Sequence, residues 1–270
     1  MIIADFHTHS SNSGDCDVPM YMQIESAINK GIKYLCITEH MDYDFPKAPD
    51  EDVSFILDTD TYYDEYLFNK EKYHEKINLF FGVELGLQPH LAIRHNEYVS
   101  KYPFDFVIGS SHLCDGYDVY YPDFFIGKNE VECYRRYFES ELENIKEFNN
   151  FDVYGHLDYI LRYGPTKDNN FHYNDYAEII DEILKQLISS GKGIEINTGG
   201  LKDGMKETNP CLDILRRYKD LGGEIITVGS DSHNPENIAY DFKTAKETLL
   251  AAGFSRYTIF KERTADFIDL

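Results

Sequence analysis

The stretch IIADFHTH, residues 2–9, joins an apolar run to two histidines that are one residue apart. Residues 2–6 have the composition of a buried parallel strand. A strand repeats every two residues, so His7 and His9 point to the same face. Six further apolar runs also end in histidine, aspartate, glutamate or asparagine: YLCITEH, LFFGVE, DFVIGSSH, DVYGH, GIEIN and IITVGSDSH. The repetition predicts strands that each deliver polar side chains at the carboxyl end.

Helix-length segments separate these runs, and strand–helix–strand units of this kind build either a barrel or a doubly wound sheet. In both folds the functional residues lie at the carboxyl ends of the strands. The chain has 270 residues and no Ser/Gly-rich linker, so we expect one α/β domain over residues 1–270. We predict helices at about 22–29, from 62, and at 91–102, 131–147, 175–188, 211–221 and 235–252, with a short last strand at 257–260.

The chain carries 26 basic and 48 acidic residues, a formal net charge of −22. Nucleic-acid binding depends on Lys and Arg contacts to phosphate, so this balance argues against a nucleic-acid partner. A small anionic substrate held by metal ions is compatible with it. The first strand begins at Ile2 and no apolar run reaches membrane-spanning length. We therefore expect no signal peptide, no membrane partner and a cytoplasmic location.

Imidazole and carboxylate groups at strand ends suit a cluster of divalent metal ions. Asp231 and His233 repeat the spacing of His7 and His9. Single candidates end other runs: His40, Glu84, His112 and His156. Any one of these histidines, taken alone, is more often a hydrogen-bonded core residue, but their recurrence at the ends of different strands favours a metal site.

Other polar residues beside these candidates receive lesser roles. Glu39 precedes His40 and points to the opposite face of its strand, so we expect it to be a hydrogen-bond partner behind the site. The five cysteines are scattered and form no CxxC pair, which predicts free thiols. A soft metal contact from Cys16 or Cys114 is the less favoured interpretation.

The chain resembles the polymerase and histidinol phosphatase (PHP) family in four motifs: DFHTHSSNSGD, CITEH, GSSH and GSDSH. The likeness extends through GVELG and GHLD over nearly the whole chain, and the histidinol-phosphate phosphatase branch is the most similar. The resemblance implies a distorted (β/α)7 TIM-like barrel with the metal site at the C-terminal ends of the strands. It also implies three divalent ions, drawn from Zn, Fe, Mn and Mg.

The resemblance further implies how the ligands divide among the three ions. The first ion would be bound by His7, His9, Glu84 and Asp231. The second would share Glu84 and add His112 and His156. The third would be bound by Asp15, His40 and His233. Some family members have histidine at the position of Asp15, and a carboxylate there favours a harder ion.

The activity that the resemblance implies is hydrolysis of L-histidinol phosphate to L-histidinol and phosphate, a step of histidine biosynthesis. A hydroxide between two metal ions bridged by Glu84 would attack phosphorus, with Asp231 beside it as proton acceptor. The alternative is a PHP-family phosphoesterase that acts on a nucleotide, an oligonucleotide or a phosphotyrosine substrate. A polymerase-associated module or an amidohydrolase is less favoured, because the chain has no polymerase-length extension and no candidate for a metal-bridging lysine.

A phosphomonoester dianion also needs a basic partner. Arg162, six residues after His156, is the predicted phosphate clamp and a catalytic candidate, and Lys202 is a weaker second candidate. Asn197 ends the sixth run and, with Glu195, either orients ligands or touches substrate.

Two long segments lie beside the predicted site. The connection over residues 41–76 either covers substrate or is a solvated acidic insertion, and its Asp42 or Asp44 is placed to receive cationic groups of the substrate. The aromatic segment over residues 114–127 either forms a lid or packs on a neighbouring loop.

Overall fold

The barrel is described in a computed structural model that covers residues 1–46 and 53–270. The strands are β1 (Ala4–Asp5), β2 (Tyr34–Met41), β3 (Asn78–Gly86), β4 (Phe106–Ser110), β5 (Leu113–Cys114), β6 (Tyr117–Asp118), β7 (Val153–Tyr154), β8 (Gly193–Asn197), β9 (Ile226–Gly229), β10 (Arg256–Lys261) and β11 (Thr264–Asp269). One sheet contains seven parallel strands in the order β1-β2-β3-β4-β7-β8-β9. Its strands correspond to the seven apolar runs of the sequence.

Helical segments separate consecutive strands of this sheet. They are α1 (Met20–Asn29), α2 (Thr59–Tyr73), α3 (Ala92–Lys101), α4 (Glu130–Glu147), α5 (Tyr173–Ser189), α6 (Gly199–Lys202), α7 (Leu212–Asp220) and α8 (Phe242–Ala251). Short 3₁₀-helices lie at Pro89–Leu91, Pro122–Phe124, Tyr159–Arg162, Lys167–Asn170 and Pro235–Asn237. In the described part of the chain, every helix is too short or too polar to cross a lipid bilayer.

Hydrogen bonds between the first and last strands nearly close the sheet into a barrel. The Phe6 N–H donates to the Val228 carbonyl at 2.9 Å, and the Asp231 N–H donates to the His7 carbonyl at 2.8 Å. Beyond these bonds Thr8 and Ser232 form a parallel bridge. The predicted fold class is therefore confirmed as a distorted seven-stranded TIM-like barrel.

The interior of the barrel is filled by side chains, as in other barrels of this size. The Phe6 ring lies 5.4 Å from Phe80 and 5.3 Å from Phe106 between centroids. Phe106 in turn lies 5.1 Å from Phe260, which belongs to β10. Strand β10 thus shares one aromatic cluster with strands of the barrel.

The chain ends in a β-hairpin of which the sequence predicted only the first strand. The strand expected at residues 257–260 is confirmed within β10, but β11 was missed. Lys261 pairs with Thr264, and the two turn residues, Glu262 and Arg263, have φ angles of 49° and 62°. Such turns are usually signalled by Asn-Gly, which can adopt positive φ easily, and Glu-Arg gives no such signal.

The hairpin turn is tied to the amino ends of two barrel strands. Arg263 donates from Nε to Asp152 Oδ2 at 2.5 Å, and its N–H donates to the Asp105 carbonyl at 2.9 Å. Glu262 donates its N–H to Asp105 Oδ1 at 3.0 Å. Asp105 immediately precedes β4 and Asp152 immediately precedes β7, so the turn fixes the end of the barrel opposite to the predicted site.

The helix predicted at residues 235–252 was wrong in its first half, because α8 begins at Phe242. The chain is diverted where Ala239, with a φ of 53°, donates its N–H to the buried carboxylate of Asp5 at 2.9 Å. Asp241 then caps the helix by accepting a hydrogen bond from a backbone N–H of the first turn. A long-range hydrogen bond to Asp5 is not visible in a helical sequence pattern.

We predict that Arg263→Ala lowers the free energy of unfolding by about 2 kcal/mol, because it removes a partly buried ion pair and leaves Asp152 without its cation. Urea denaturation at a fixed metal concentration measures the effect. Arg256→Ala is the control, since Arg256 lies in the same hairpin but forms an exposed pair with Glu224, and its loss should be below about 1 kcal/mol. Equal losses in the two variants would contradict the role assigned to Arg263.

Candidate metal centre

The carboxyl ends of the barrel strands bring the nine predicted metal ligands together. In the β2–β3 register His40 pairs with Glu84, so both stand at the same level of the barrel. The nine residues are His7, His9, Asp15, His40, Glu84, His112, His156, Asp231 and His233, and their donor atoms form a continuous set of close approaches. Seven of the nine are buried, while Asp15 and His233 lie nearer to solvent.

The first donor group consists of His7 Nε2, His9 Nε2, Glu84 Oε2 and Asp231 Oδ1. His7 Nε2 lies 3.1 Å from Glu84 Oε2 and 3.7 Å from Asp231 Oδ1. His9 Nε2 lies 3.6 Å and 3.5 Å from the same two oxygens. A tetrahedral ion with bonds of about 2.0–2.1 Å needs donor atoms about 3.3–3.4 Å apart, so the group has the right dimensions for a divalent metal.

The second donor group uses the other oxygen of Glu84. Glu84 Oε1 lies 3.2 Å from His112 Nε2 and 2.9 Å from His156 Nε2. The carboxylate therefore faces one donor group with each oxygen, which is the arrangement expected of a residue that bridges two ions.

The third donor group lies toward the mouth of the barrel. Asp15 Oδ2 lies 3.1 Å from His233 Nε2 and 3.5 Å from His40 Nε2. The His9 ring stacks against both of these imidazoles, at 4.2 Å from His233 and 4.3 Å from His40 between centroids. His9 thus stands at the boundary between the first and third donor groups.

Four of these donor atoms are buried and have no hydrogen-bond partner among the described residues. They are His7 Nε2, His9 Nε2, His233 Nε2 and Glu84 Oε2. Burying polar atoms without partners is unfavourable, and natural proteins rarely tolerate it without a compensating ligand. The residues present therefore fit divalent ions.

Polar side chains behind the imidazoles fix which ring nitrogen faces the centre. Asp42 Oδ1 accepts from His112 Nδ1 at 2.5 Å, and Glu195 Oε1 accepts from His7 Nδ1 at 2.7 Å. In each case Nε2 is left as the inward-facing nitrogen. Carboxylates that bind the outer nitrogen in this way orient a ligand and increase its basicity.

Glu39 accepts hydrogen bonds from the loop that follows β1. It accepts from the N–H of Ser10 at 3.1 Å and from the Ser13 hydroxyl at 2.6 Å. Ser13 Oγ in turn lies 3.1 Å from His9 Nδ1. The structure thus places Glu39 as the hydrogen-bond partner that its strand parity indicated, two bonds behind a histidine of the first donor group.

The buried imidazoles and carboxylates of the centre shift one another's pKa values. Burial lowers the pKa of His112, but the carboxylates of Asp42 and Glu84 outweigh it and raise that pKa to about 10. Burial raises the pKa of Glu84, but the imidazoles of His7, His112 and His40 hold it well below its usual range. The carboxylate is therefore ionised at neutral pH, and protons on the imidazoles compete with metal ions for the same nitrogens.

The backbone at the end of the barrel is closely fitted around these residues. Asp231 has a φ of 53° and His156 a φ of 20°, conformations that non-glycine residues adopt at a cost and that often occur at functional sites. A methyl group at Gly229 would lie 2.1 Å from Glu195 Oε1 and 2.4 Å from His7 Cβ. Glycine is required there because β9 passes so close to these side chains.

Arg162 lies beside the first donor group and is buried. Its Nη1 donates to Asp231 Oδ2 at 2.7 Å, its Nη2 to Asn197 Oδ1 at 2.7 Å and its Nε to Asn209 Oδ1 at 2.9 Å. Asn209 is itself held by Asp158, whose Oδ1 accepts from Asn209 Nδ2 at 2.5 Å. The guanidinium is therefore fixed in position while it lines the cavity.

A cavity of about 470 Å³ opens above the donor groups, a size suited to a small metabolite. Its lining residues include Asp15, His40, Asp42, Glu84, His112, Asp118, Tyr120, Tyr121, His156, Tyr159, Arg162, Tyr163, Lys202, Asp203, Asp231 and His233. Lys202 thus lines the cavity, as its predicted contact with a phosphate group requires. Asn197 is fully buried and absent from the lining, so it supports the guanidinium and does not face a substrate.

The remaining predictions have mixed outcomes. Asp42 lines the cavity but is engaged by His112, whereas Asp44 points away and pairs with His90 at 3.1 Å. Of the two acidic residues predicted as alternative receivers of substrate cations, only Asp42 therefore lines the cavity. The Cys16 thiol donates a hydrogen bond to the His233 carbonyl, and burial raises the pKa of this thiol to about 11. Neither observation favours Cys16 as a thiolate ligand.

The two long segments beside the site both contribute to the cavity. Phe45, Val53 and Phe55, from the connection over residues 41–76, line it, while residues 47–52 lie outside the described residues. In the segment over residues 114–127, Tyr120 and Tyr121 line the cavity and Phe124 is buried. This segment therefore both packs on the barrel and faces the cavity.

Three supporting residues were not predicted from the sequence: Ser13, Asp158 and Asn209. Ser110 was also missed, although its hydroxyl donates to Glu84 Oε1 at 2.7 Å. Ser110 and Asp158 lie within the GSSH and GHLD motifs, so their position beside His112 and His156 was an available signal. Asn209 lies in a loop far along the chain, and no motif of the sequence indicated its role.

We predict that Asp42→Asn weakens metal binding by about 10–100-fold, because His112 loses the carboxylate that orients its ring. Competition with a chromophoric chelator measures the affinity without reference to activity. Asp44→Asn, in the same loop but outside the cavity, is the control and should bind metal like the wild type. Unchanged affinity in Asp42→Asn would contradict the role given to this carboxylate.

The sequence of the chain is similar to those of known phosphatases. The model of the PHP domain matches residues 5–199. The histidinol-phosphatase of Lactococcus lactis is 33% identical over 97% of this chain and 96% of that protein. A probable histidinol-phosphatase of Clostridium acetobutylicum is 34% identical over 90% of this chain and 91% of that protein.

Solved structures are similar over the same extent. The crystal structure of histidinol phosphate phosphatase from L. lactis, complexed with zinc, L-histidinol and phosphate, has a TM-score of 0.90 at 32% identity and covers 97% of this chain and 98% of that one. The putative histidinol phosphatase of Listeria monocytogenes has a TM-score of 0.75 at 19% identity, covering 89% and 99%, and supports the fold alone. The family model and the L. lactis relative together establish that the chain belongs to the PHP domain family.

Proposed function

We propose that the protein is a metal-dependent phosphomonoesterase that hydrolyses L-histidinol phosphate to L-histidinol and phosphate at a site for three divalent metal ions. The observation that carries the proposal is the meeting of three donor groups and a buried guanidinium at the floor of one small cavity. The L. lactis relative, whose structure holds zinc, L-histidinol and phosphate, supports this choice of substrate.

Glu84 and Asp231 are the residues to which we assign the central roles. Divalent ions bound here would lower the pKa of a water molecule, making it a nucleophile at neutral pH, and would neutralise phosphate oxygens. Glu84 presents one oxygen to the first donor group and the other to the second, so it would help to hold two ions. Despite burial, His7 and Arg162 keep the pKa of Asp231 well below its usual range, so this carboxylate is ionised at neutral pH. We assign it the further role of accepting the proton of the attacking water.

Arg162 is the proposed phosphate clamp. Each of its terminal nitrogens has one hydrogen committed to Asp231 or Asn197, which leaves a second hydrogen on each for phosphate oxygens. Because Asn209 fixes Nε, the guanidinium plane does not have to be ordered when substrate binds. Lys202, which lines the same cavity and is exposed, supplies a second positive charge.

The donor chemistry limits the identity of the ions. Each donor group combines two imidazole nitrogens with carboxylate oxygen, a mixture that suits Zn, Fe or Mn. Asp15 makes the third group richer in oxygen than it would be with the histidine found in some family members, and this shifts its preference toward a harder ion such as Mn or Mg. The three sites are therefore proposed to differ in affinity.

We predict that the purified protein releases phosphate from L-histidinol phosphate with a kcat/KM at least about 100-fold above that for p-nitrophenyl phosphate or AMP. Metal analysis of the same preparation should give about three ions per chain. Removing the ions with EDTA should abolish turnover, and adding Zn or Mn should restore it. Equal turnover of AMP would retain the site and reject the substrate, and no hydrolysis at full metal occupancy would reject the enzyme.

We predict that Arg162→Ala lowers kcat/KM for L-histidinol phosphate by about 100–1,000-fold, because the phosphate loses its bidentate partner. Arg162→Lys keeps the charge but not the fork and should recover only part of the loss. Thermal unfolding and metal content of both variants test whether the centre is intact. Wild-type turnover in Arg162→Ala would exclude the clamp.

A further inference from the structure

Asp118 is an acidic residue of the cavity to which the proposed hydrolysis gives no role. It belongs to the β5–β6 hairpin that directly follows His112, and it pairs there with Leu113. The next residue, Val119, donates its N–H to the His112 carbonyl at 3.4 Å. The Asp118 side chain is half-buried and lines the cavity. The hairpin that carries Asp118 is therefore tied to the backbone of a ligand of the second donor group, and both residues line the same cavity.

The Asp118 side chain makes few polar contacts with the described residues of the protein. Its side chain accepts one hydrogen bond, from the Tyr120 N–H at 2.8 Å within its own turn. Over residues 1–46 and 53–270 no lysine or arginine pairs with it, and the buried Arg162 is committed to Asp231. Burial raises the pKa of Asp118, as expected for a carboxylate partly withdrawn from water. A cationic ligand in the cavity would compensate this withdrawal.

The shape of the proposed substrate determines where its ammonium group can lie. In a 2-amino alcohol phosphate the amino group is only two carbon atoms from the ester oxygen, so its partner must flank the phosphate site. Asp118 is a candidate for this partner, because its hairpin is bonded to the backbone of His112 and both residues line the cavity. Asp42 is already engaged by His112, and Asp203 is more exposed and lies near Tyr163.

The planar part of the substrate has a matching surface. Tyr159 and Tyr163, with centroids 5.1 Å apart, line the cavity together with Tyr120, which lies 5.0 Å from Tyr163. An imidazole ring that extends away from the phosphate can pack on this aromatic wall. The ammonium and the ring thus have separate recognition elements.

We propose that Asp118 binds the ammonium group of 2-amino alcohol phosphates and makes the enzyme select them over phosphomonoesters that lack this cation. The inference rests on the proposed function, since it concerns substrate selection at the same site. Asp118 acts in binding and takes no part in bond breaking.

The test compares substrate pairs that differ only in the amino group. We expect Asp118→Asn to lower kcat/KM for L-histidinol phosphate by about 10–100-fold, the range for loss of a charge-assisted hydrogen bond. For the desamino analogue, 3-(imidazol-4-yl)propyl phosphate, the change should stay within about 3-fold. Asparagine keeps the oxygen that accepts from the Tyr120 N–H, so the turn is preserved. Asp123→Asn, an exposed acidic residue of the same segment, is the control and should leave both values unchanged.

Three results would overturn the proposal. These are an equal loss on both substrates, no loss on either, or a selective loss in Asp203→Asn but not in Asp118→Asn. Phosphoethanolamine and ethyl phosphate form a second pair without an imidazole, on which Asp118→Asn should again affect only the amine. Failure of the proposed function is distinguishable, because it would appear as poor turnover of L-histidinol phosphate by the wild type, while the second pair would still test Asp118.

Discussion

The buried carboxylate of Glu84 is the interaction on which the centre depends. It stands at the carboxyl end of β3, fully buried, with imidazoles from neighbouring strands on both oxygens. A carboxylate in this position is unfavourable without cations, because the interior of a barrel does not solvate charge. Imidazole protons or metal ions must therefore accompany it, and through its two oxygens it would help to hold ions in two donor groups.

The precision of this arrangement comes from the way the barrel is closed. The Asp231 N–H bonds to the His7 carbonyl, so two ligands of the first donor group are held by the same contact that joins the first and last strands. Gly229 permits the close approach, and the left-handed backbone of Asp231 turns its side chain inward. At the opposite end, the hairpin turn at Arg263 anchors the starts of β4 and β7, the strands that present His112 and His156.

Residues whose role follows from strand position could be predicted from the sequence, and residues whose role follows from long-range contacts could not. The spacing of His7 and His9 determines their common face, and each apolar run indicates where a ligand is presented. The turn at Glu262 and Arg263, the start of α8 and the support of Arg162 by Asn209 each depend on a partner distant in sequence. For Asn197 and for the pair Asp42 and Asp44 the sequence left alternatives open, because it does not give the direction of a side chain. In the structure Asn197 contacts Arg162 and Asp44 contacts His90.

The acidic character of the chain is compatible with an anionic substrate because the charge at the proposed centre has the opposite sign to the charge of the whole protein. Five carboxylates touch the imidazoles or the guanidinium: Asp15, Asp42, Glu84, Glu195 and Asp231. Three divalent ions together with Arg162 would outweigh them, which leaves a local positive charge for a phosphate dianion. Asp118 and Asp203, which line the cavity outside the donor groups, then add negative charge around it. A molecule with a phosphate at one end and a cation close to it matches this distribution, whereas a nucleic-acid backbone, with phosphates along its whole length, would meet the acidic surface.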